Sequence, residues 1–362
     1  MAFPTPVGGA SLPADFAPSV LFAILYGCLL PVMFWRAFQR RSWNLVVIGC
    51  IGFSIERVVV FALRASMANN DRRRHLAGLL TYTQVTFANG FLTIVQDLFK
   101  LVRCIMVNAS YGTNTAFQAP AVAGARRAAS RPIAPPASKS ARLFGTSPAT
   151  YEEIIEMNPI SEVIKEGAPY IEDHPRRRFW ARRFGDAGAL LFFAALIPGI
   201  VAHAHFGKDL RAGRNADKVM TLRYLSTAVA LALVIVVIAT VVWANMFMDR
   251  VSRPATRLIL AISLCMLTVC TYRLSVMFNR SDSLVSTAPD ALNSKSDKAL
   301  FYLFHIAPEW LAIGLLFGYN VREICGTGPF GDWRHRDENE EERAKREQKE
   351  AARAEADVAN AA

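Results

Sequence analysis

The feature that most constrains this chain is a series of apolar stretches long enough to cross a lipid bilayer. A spanning α-helix needs about 20 mostly apolar residues, and only structures that satisfy their own backbone hydrogen bonds can cross. The strongest stretch, at 226–243, reads STAVALALVIVVIATVVW. The sequence therefore predicts an all-α membrane protein built as a seven-transmembrane-helix bundle. The predicted spans are 17–35, 44–63, 75–102, 186–203, 220–247, 255–278 and 299–321.

Lysine and arginine distinguish the two sets of loops that seven spans create. Loops richer in these residues stay in the cytoplasm. The basic stretch HPRRRFWARRF, at 174–184, belongs to the richer set, whereas residues 1–16 contain no Lys or Arg. We therefore expect 1–16 to be extracellular and 322–362 to be a charged cytoplasmic tail. The net charge of +11 then reflects topology, and no nucleic acid partner is expected.

The spans fall into two groups, separated by a long polar segment. Helices 1–3 occupy 17–107 and helices 4–7 occupy 184–321. Between them, 108–183 is rich in Ala, Pro, Ser and basic residues, a composition that predicts a largely disordered cytoplasmic loop. Cytoplasmic partners could bind at 108–183 or at 331–362. Ser130 follows Arg127 closely, a pattern typical of phosphorylation by basophilic kinases.

The third predicted span carries a polar stripe. Its members recur every three or four residues, so they share one face of a helix. Such a face avoids lipid; it either makes interhelical hydrogen bonds or lines a substrate path. The stripe consists of Tyr82, Thr86, Asn89, Thr93, Gln96 and Lys100.

Ionisable residues inside the spans are the second indication of a site. Charges within a bilayer are costly and normally pair with one another or face a cavity. Helical rise places four of them about 8–15 Å from the outer ends of their helices. We predict that Arg273 pairs with Glu309 or Glu56, and that Tyr82 or Gln84 borders the same cavity. Two readings remain open, a structural ion network and a ligand or proton site. The intramembrane set is Glu56, Arg57, Asp97, Arg273, His305 and Glu309.

Enzymatic, metal and cofactor chemistry lack a recognisable pattern. We find no glycine-rich phosphate loop, no nucleophile motif and no metal-ligand spacing, so we expect no enzyme activity, no metal and no cofactor. Two modifications are predicted besides phosphorylation of Ser130. Asn279 begins an N-glycosylation sequon in an outer loop, and Cys325 lies just past the last span, where palmitoylation is common.

Two segments resemble a known family. GCIGFSIERVVVFALRAS, at 49–66, and TYTQVTFANGFLTIVQDLFKLVRC, at 81–104, are similar to the fungal seven-transmembrane lipid-translocating exporters, the resistance-to-aminocholesterol group. Glu56 and Arg64 resemble the glutamate and the downstream arginine of that family's second helix. Gln84 and Arg103 resemble its helix-three glutamine and arginine.

The sixth span extends this resemblance and also departs from it. Tyr272 and Arg273 resemble the family's aromatic–arginine pair, but Val276 stands where the family tends to have a glutamate. The long segment after helix three is foreign to the family. The resemblance implies lipid translocation or efflux, a role in membrane-stress resistance, and residence in the plasma membrane. Its implied partners are membrane lipids and a small amphipathic ligand.

A G-protein-coupled receptor-like protein is the alternative. Seven helices and a large basic loop fit that class. Against it, helix three ends in LVRC and helix seven in GYNVREIC, so the rhodopsin-type motifs are missing. A signalling protein without those motifs remains the competing hypothesis.

Overall fold

The computed structural model describes residues 2–39, 42–112, 173–212, 215–248, 250–286, 288–328, 330–332 and 337, with residues 341, 344, 345 and 348 of the tail. This part of the chain is mainly helical. Its helices are α1 Phe16–Phe38, α2 Ile48–Ala68, α3 Asp71–Arg74, α4 Ala77–Ala109, α5 Pro175–His203, α6 Phe206–Ala212, α7 Ala216–Phe247, α8 Arg253–Val276, α9 Lys295–Phe301, α10 Ala307–Gly318 and α11 Val321–Cys325.

Shorter elements join these helices. A π-helical turn, Tyr302–Ile306, makes α9 and α10 continuous. The 3₁₀ turns Pro13–Asp15 and Leu45–Val47 lead into α1 and α2, and a third, Pro289–Ala291, precedes α9. Strands β1, Phe3–Pro4, and β2, Arg280–Ser281, pair antiparallel with Phe3 opposite Ser281.

Six helices of the described chain are long and apolar enough to cross a membrane: Pro13–Phe38, Leu45–Ala68, Pro175–His203, Ala216–Phe247, Arg253–Val276 and Lys295–Gly318. The predicted all-α, multi-pass membrane character is confirmed at this level. Their outward faces are apolar, as at Leu190 and Ile197 of α5, which are 72% and 56% exposed. Such faces suit contact with lipid tails.

Helix α4 is polar but lies inside the bundle. It has 33 residues, about 50 Å at 1.5 Å per residue, and packs against α2, α5, α7 and α8. Close approach to α5 depends on small residues, since a Cβ on Gly188 would lie 2.3 Å from the Phe99 ring. Because neighbouring helices cover α4, its polar groups need not meet lipid.

The two ends of the bundle differ. Residues 2–15, here called the N-terminal segment, fold across one end, the capped end. Near it, Gln84 of α4 accepts a hydrogen bond from the Val7 amide at 2.9 Å. At the opposite end, the tail end, Asn108 of α4 donates to the Cys325 carbonyl at 3.0 Å. Helix α4 therefore runs from one end of the bundle to the other, beside the six apolar helices.

Candidate functional site: a charged interior beneath the N-terminal segment

A buried ion pair joins α2 to α10. Arg57 donates from Nε and Nη2 to the two carboxylate oxygens of Glu309, each at 3.0 Å, and both side chains are fully buried. His305, one turn before Glu309 and within the π-helical turn, places Nε2 3.3 Å from Oε1 of Glu309. The predicted pairing of Arg273 with Glu309 or Glu56 is wrong: Arg57 binds Glu309.

Helix geometry explains this choice of partner. The buried face of α2 repeats every three or four residues and includes Phe53, Arg57, Phe61 and Arg64, so Arg57 points into the bundle. Glu56, next to it in sequence, is turned toward the edge and is only partly buried. The predicted carboxylate partner on α2 is thus on the wrong face.

Arg273 is buried among backbone and ring atoms instead. Its Nη1 donates to the Phe87 carbonyl at 2.6 Å, its Nε lies 3.5 Å from Thr227 Oγ1, and its guanidinium lies 5.2 Å from the centre of the Phe91 ring. The Phe87 ring in turn lies 5.1 Å from the Arg57 guanidinium. Arg273 and the Arg57–Glu309 pair therefore surround Phe87 of α4.

A second buried cluster contains residues that the sequence analysis left in loops. Asp15 binds Arg64 and Lys298, with N–O distances of 2.8 Å each, and Tyr302 donates to Asp15 at 3.2 Å. All four side chains are buried. Arg64 had entered the prediction only through the family resemblance, yet it lies seven residues after Arg57 on the same face of α2. This spacing of seven residues could have predicted that Arg64 is buried on the same face as Arg57.

The N-terminal segment closes this end through its backbone carbonyls. Arg64 donates to the Gly8 carbonyl at 2.7 Å, and so does Lys298, at 2.7 Å. Lys298 also reaches the Ala10 carbonyl, and Arg223 of α7 donates to the Thr5 carbonyl at 3.0 Å. The segment predicted as a plain extracellular terminus is therefore packed into the bundle.

The turn at Gly8 and Gly9 makes this packing possible. Both residues have positive φ, +76° and +63°, and a Cβ on Gly9 would lie 2.2 Å from the Leu292 carbonyl oxygen. Only glycine fits there without displacing backbone. The turn presents the Gly8 carbonyl to both Arg64 and Lys298.

The remaining predicted site residues are divided between several places. Gln84 binds the backbone of Val7 through both ends of its amide. Asp97 lies toward the tail end, where Lys100 binds it at 2.8 Å and Cys50 donates to it at 3.1 Å. Glu56 and Tyr82 are close enough to interact electrostatically and are both partly buried.

The polar stripe of α4 makes mostly local contacts. Thr86 donates to the Thr83 carbonyl at 3.0 Å and Asn89 to the Val85 carbonyl at 3.0 Å, while Thr93 is half-buried against Gly49 of α2. In the described chain, the stripe thus supports helix packing more than it forms one cavity wall.

Burial opposes both predicted modifications that the structure describes. Asn279 is 8% exposed, and its carbonyl accepts the Thr5 amide at 3.0 Å, so a glycan would meet the N-terminal segment. Cys325 is 2% exposed, and burial raises the pKa of its thiol to about 12. Ser130 lies outside the described residues. No group of three metal-ligating side chains occurs among the described residues.

Comparison with known proteins gives no further assignment: no family model, curated protein or solved structure matches this chain.

Proposed function

We propose that this protein is a non-enzymatic lipid translocator or exporter that protects its membrane against amphipathic compounds. The observation that carries this proposal is the charge of the bundle interior. Among the described residues near the capped end, five cationic side chains but only two carboxylates are at most 3% exposed. The cations are Arg57, Arg64, Arg223, Arg273 and Lys298, and the carboxylates are Asp15 and Glu309.

A helical bundle does not need buried charges in order to be stable. Replacing buried ion pairs by well-packed apolar residues is often neutral or stabilising, and intramembrane charges commonly mark substrate or ion pathways. A polar interior within an apolar bundle matches the two parts of a lipid, its head group and its tails. The resemblance of 49–66 and 81–104 to the lipid-translocating exporters supports the same class of substrate.

Two crevices lie on either side of this interior. One, at the capped end, is lined by residues of the N-terminal segment together with Leu210 and Ser283. The other, at the tail end, is lined by Asn44 and Ile51 near α2 and by Phe317 and Asn320 near α10. Transport would require the charged interior to open toward each end in turn. The N-terminal segment is the element that must move at the capped end.

The proposal includes a topology of seven spans, with α4 as the seventh, an outward N-terminus and a cytoplasmic C-terminus, in the plasma membrane. The passage of α4 between the two ends supports it. An epitope at Met1 should then be accessible on intact cells and one at Ala362 only after permeabilisation. The reverse pattern would contradict the orientation, and equal access of both ends would contradict an odd number of spans.

The decisive experiment is a lipid-flip assay. The full chain is reconstituted in vesicles with a fluorescent phospholipid or sphingoid base, and the outer leaflet is bleached by a reductant that does not cross the membrane. Wild-type protein should raise the bleached fraction above the half expected for static leaflets. Glu309→Gln should reduce this effect, whereas Lys218→Gln, on the exposed surface, should not.

The same preparations separate the two function classes. Folded protein that moves no lipid, together with ligand-dependent nucleotide exchange on an added G protein, would overturn the proposal in favour of a receptor. A lipid effect without nucleotide exchange supports the translocator.

A further inference from the structure

Two buried arginines near the capped end form no hydrogen bond or salt bridge with a carboxylate in the described chain, although Glu309 is near enough to act electrostatically on Arg273. Arg223 of α7 and Arg273 of α8 are each 1% exposed and lie near enough to repel each other electrostatically. Their hydrogen-bond acceptors are neutral, the carbonyls of Thr5 and Phe87 and the hydroxyl of Thr227. This differs from Arg57 and Arg64, each of which binds a carboxylate.

Several polar atoms at this place lack a partner within the described residues. They are Nε and Nη2 of Arg223, Nε2 of His203 and Oδ1 of Asn89. Arg223 and Arg273 both act electrostatically on His203. Gly199 connects the group, since its carbonyl lies 2.8 Å from His203 Nδ1 and a Cβ on it would lie 2.4 Å from Asn89 Oδ1. Buried donors normally find acceptors, so this group has capacity for one more ligand.

An apolar cluster adjoins these donors. Phe3, Leu80, Phe206 and Val219 pack together, and the His203 ring stacks on Phe206 with centroids 5.8 Å apart. Phe3 also lines the crevice at the capped end. A molecule that enters by this crevice would meet Phe3 and Thr5, and the carbonyl of Thr5 accepts a hydrogen bond from Arg223.

We propose that Arg223 and Arg273 form a binding site for the phosphate or carboxylate of an anionic lipid, with the acyl part lying against the Phe3–Phe206 cluster. The oxyanion would replace the Thr5 carbonyl as the acceptor for Arg223. Guanidinium groups bind such oxyanions in a two-pronged geometry. The assignment of the anion to a lipid rests on the proposed function. The site would make the translocator accept lipids with a negatively charged head group.

The test compares three probes on the full chain in neutral detergent. These are short-chain phosphatidic acid, diacylglycerol with the same chains, and inorganic phosphate, each titrated while the melting temperature is followed. We expect phosphatidic acid to raise the melting temperature and the other two to have little effect. A shift of equal size with inorganic phosphate would overturn the lipid assignment, and no difference between phosphatidic acid and diacylglycerol would overturn the site.

Variants then locate the effect. Arg223→Met keeps the length of the side chain but removes its charge, so it should relieve repulsion with Arg273 and keep or raise the ligand-free melting temperature. It should weaken the affinity for phosphatidic acid at least tenfold. Lys218→Gln, which removes an exposed charge from the same helix, should leave it unchanged. Equal losses in both variants would indicate surface attraction only and contradict the site.

A variant that retains the charge covers the case in which Arg223→Met fails to fold. Arg223→Lys lacks the two-pronged geometry and should bind phosphatidic acid several-fold more weakly; unchanged affinity would contradict the proposal. Flip assays on the same proteins keep the two proposals apart. A wild-type protein that flips lipid but responds equally to phosphatidic acid and diacylglycerol refutes this site alone. A wild-type protein that binds phosphatidic acid but flips no lipid refutes the translocator alone.

Discussion

The pairing of Arg57 with Glu309 places both charges where neither contacts solvent. Removing one partner leaves the other buried and uncompensated. Glu309→Gln should therefore lower the free energy of unfolding by about 3–5 kcal/mol. The double variant Arg57→Met/Glu309→Leu should be milder than the sum of the two single changes. Denaturant unfolding in mixed micelles measures the wild-type protein, Glu309→Gln, the double variant and its two single variants.

Glu56 provides the matched control for this cycle. It is the neighbour of Arg57 on α2 but is only partly buried, so Glu56→Gln should have a much smaller effect. If Glu56→Gln were as destabilising as Glu309→Gln, burial of the pair would not be the cause.

Cys325 supplies a second test at this scale. Its thiol is 2% exposed, and its pKa, raised by burial to about 12, leaves almost no thiolate at neutral pH. We expect a polar maleimide reagent to leave Cys325 unlabelled in the folded protein and to label it after denaturation in dodecyl sulfate. Mass spectrometry of the peptide measures both, and rapid labelling of folded protein would restore Cys325 as a candidate for acylation.

The sequence predicted the burial of individual charges better than their partners. Arg57, Arg273, His305 and Glu309 are all buried, as their places in apolar spans required. Their pairing depends on rotation of each helix about its axis. That rotation is set by packing between helices, and a depth estimate along the axis contains no information about it.

At the scale of the elements, salt bridges at the tail end connect α5 to Asp332 and Asp337. Arg178 and Arg182 both bind Asp337, at 2.7 and 2.8 Å, and Arg182 also binds Asp332 at 2.7 Å. The sequence analysis used this basic stretch, at 174–184, only to assign a loop to the cytoplasm. Two of its arginines instead hold the chain that follows α11.

The ionisation of Asp337 makes this connection dependent on pH. Burial acts to raise its pKa, but hydrogen bonds and charges from Arg178 and Arg182 outweigh that effect and hold the pKa below the ordinary 3.8. A carboxyl group whose pKa falls on folding stabilises the structure above its unfolded pKa and loses that contribution as pH falls through its folded value. The connection should therefore persist from pH 8 to about pH 5 and weaken below the ordinary pKa.

Fluorescence anisotropy of a dye attached at residue 362 measures this effect. Asp337→Asn should lower the anisotropy already at pH 7, whereas Glu341→Gln should leave it unchanged. A drop in anisotropy between pH 8 and 6, where Asp337 stays ionised, would contradict the assignment.

The elements themselves differ in how well the sequence predicted them. Apolar runs located six helices, because each must present an apolar face to lipid. Helix α5 begins at Pro175, well before the predicted start at 186, because its first turns carry the basic stretch and no apolar run. The N-terminal segment was missed, since a stretch such as FPTPVGGASLPAD, at 3–15, has neither helical nor strand periodicity. Its position depends on hydrogen bonds to distant cations, and these leave no local pattern in its own residues.

At the scale of the whole molecule, the N-terminal segment covers the charged interior, and transport would require it to move. Pro4 and Arg280 are partners across β1 and β2, and paired Cα atoms in antiparallel strands lie within disulfide range. In Pro4→Cys/Arg280→Cys, oxidation should therefore stop lipid flipping, and reduction should restore it. Arg280→Cys alone, treated in the same way, is the control. Full activity of the oxidised double variant would show that the segment stays in place during transport.

The same contacts impose an order on biosynthesis. Residues 5–10 are made before every apolar helix described above, but they bind partners at 279, 290, 293 and 298. The first three of these partners emerge just before the last apolar helix, Lys295–Gly318, and Lys298 lies at its start. Until then the N-terminal segment lacks these anchors, which hold the carbonyls of Gly8 and Thr5 against Arg64 and Arg223 in the finished bundle. A nascent chain in this condition is a candidate client for an intramembrane chaperone, and mutations at Gly8 or Gly9 should reduce yield by prolonging that stage.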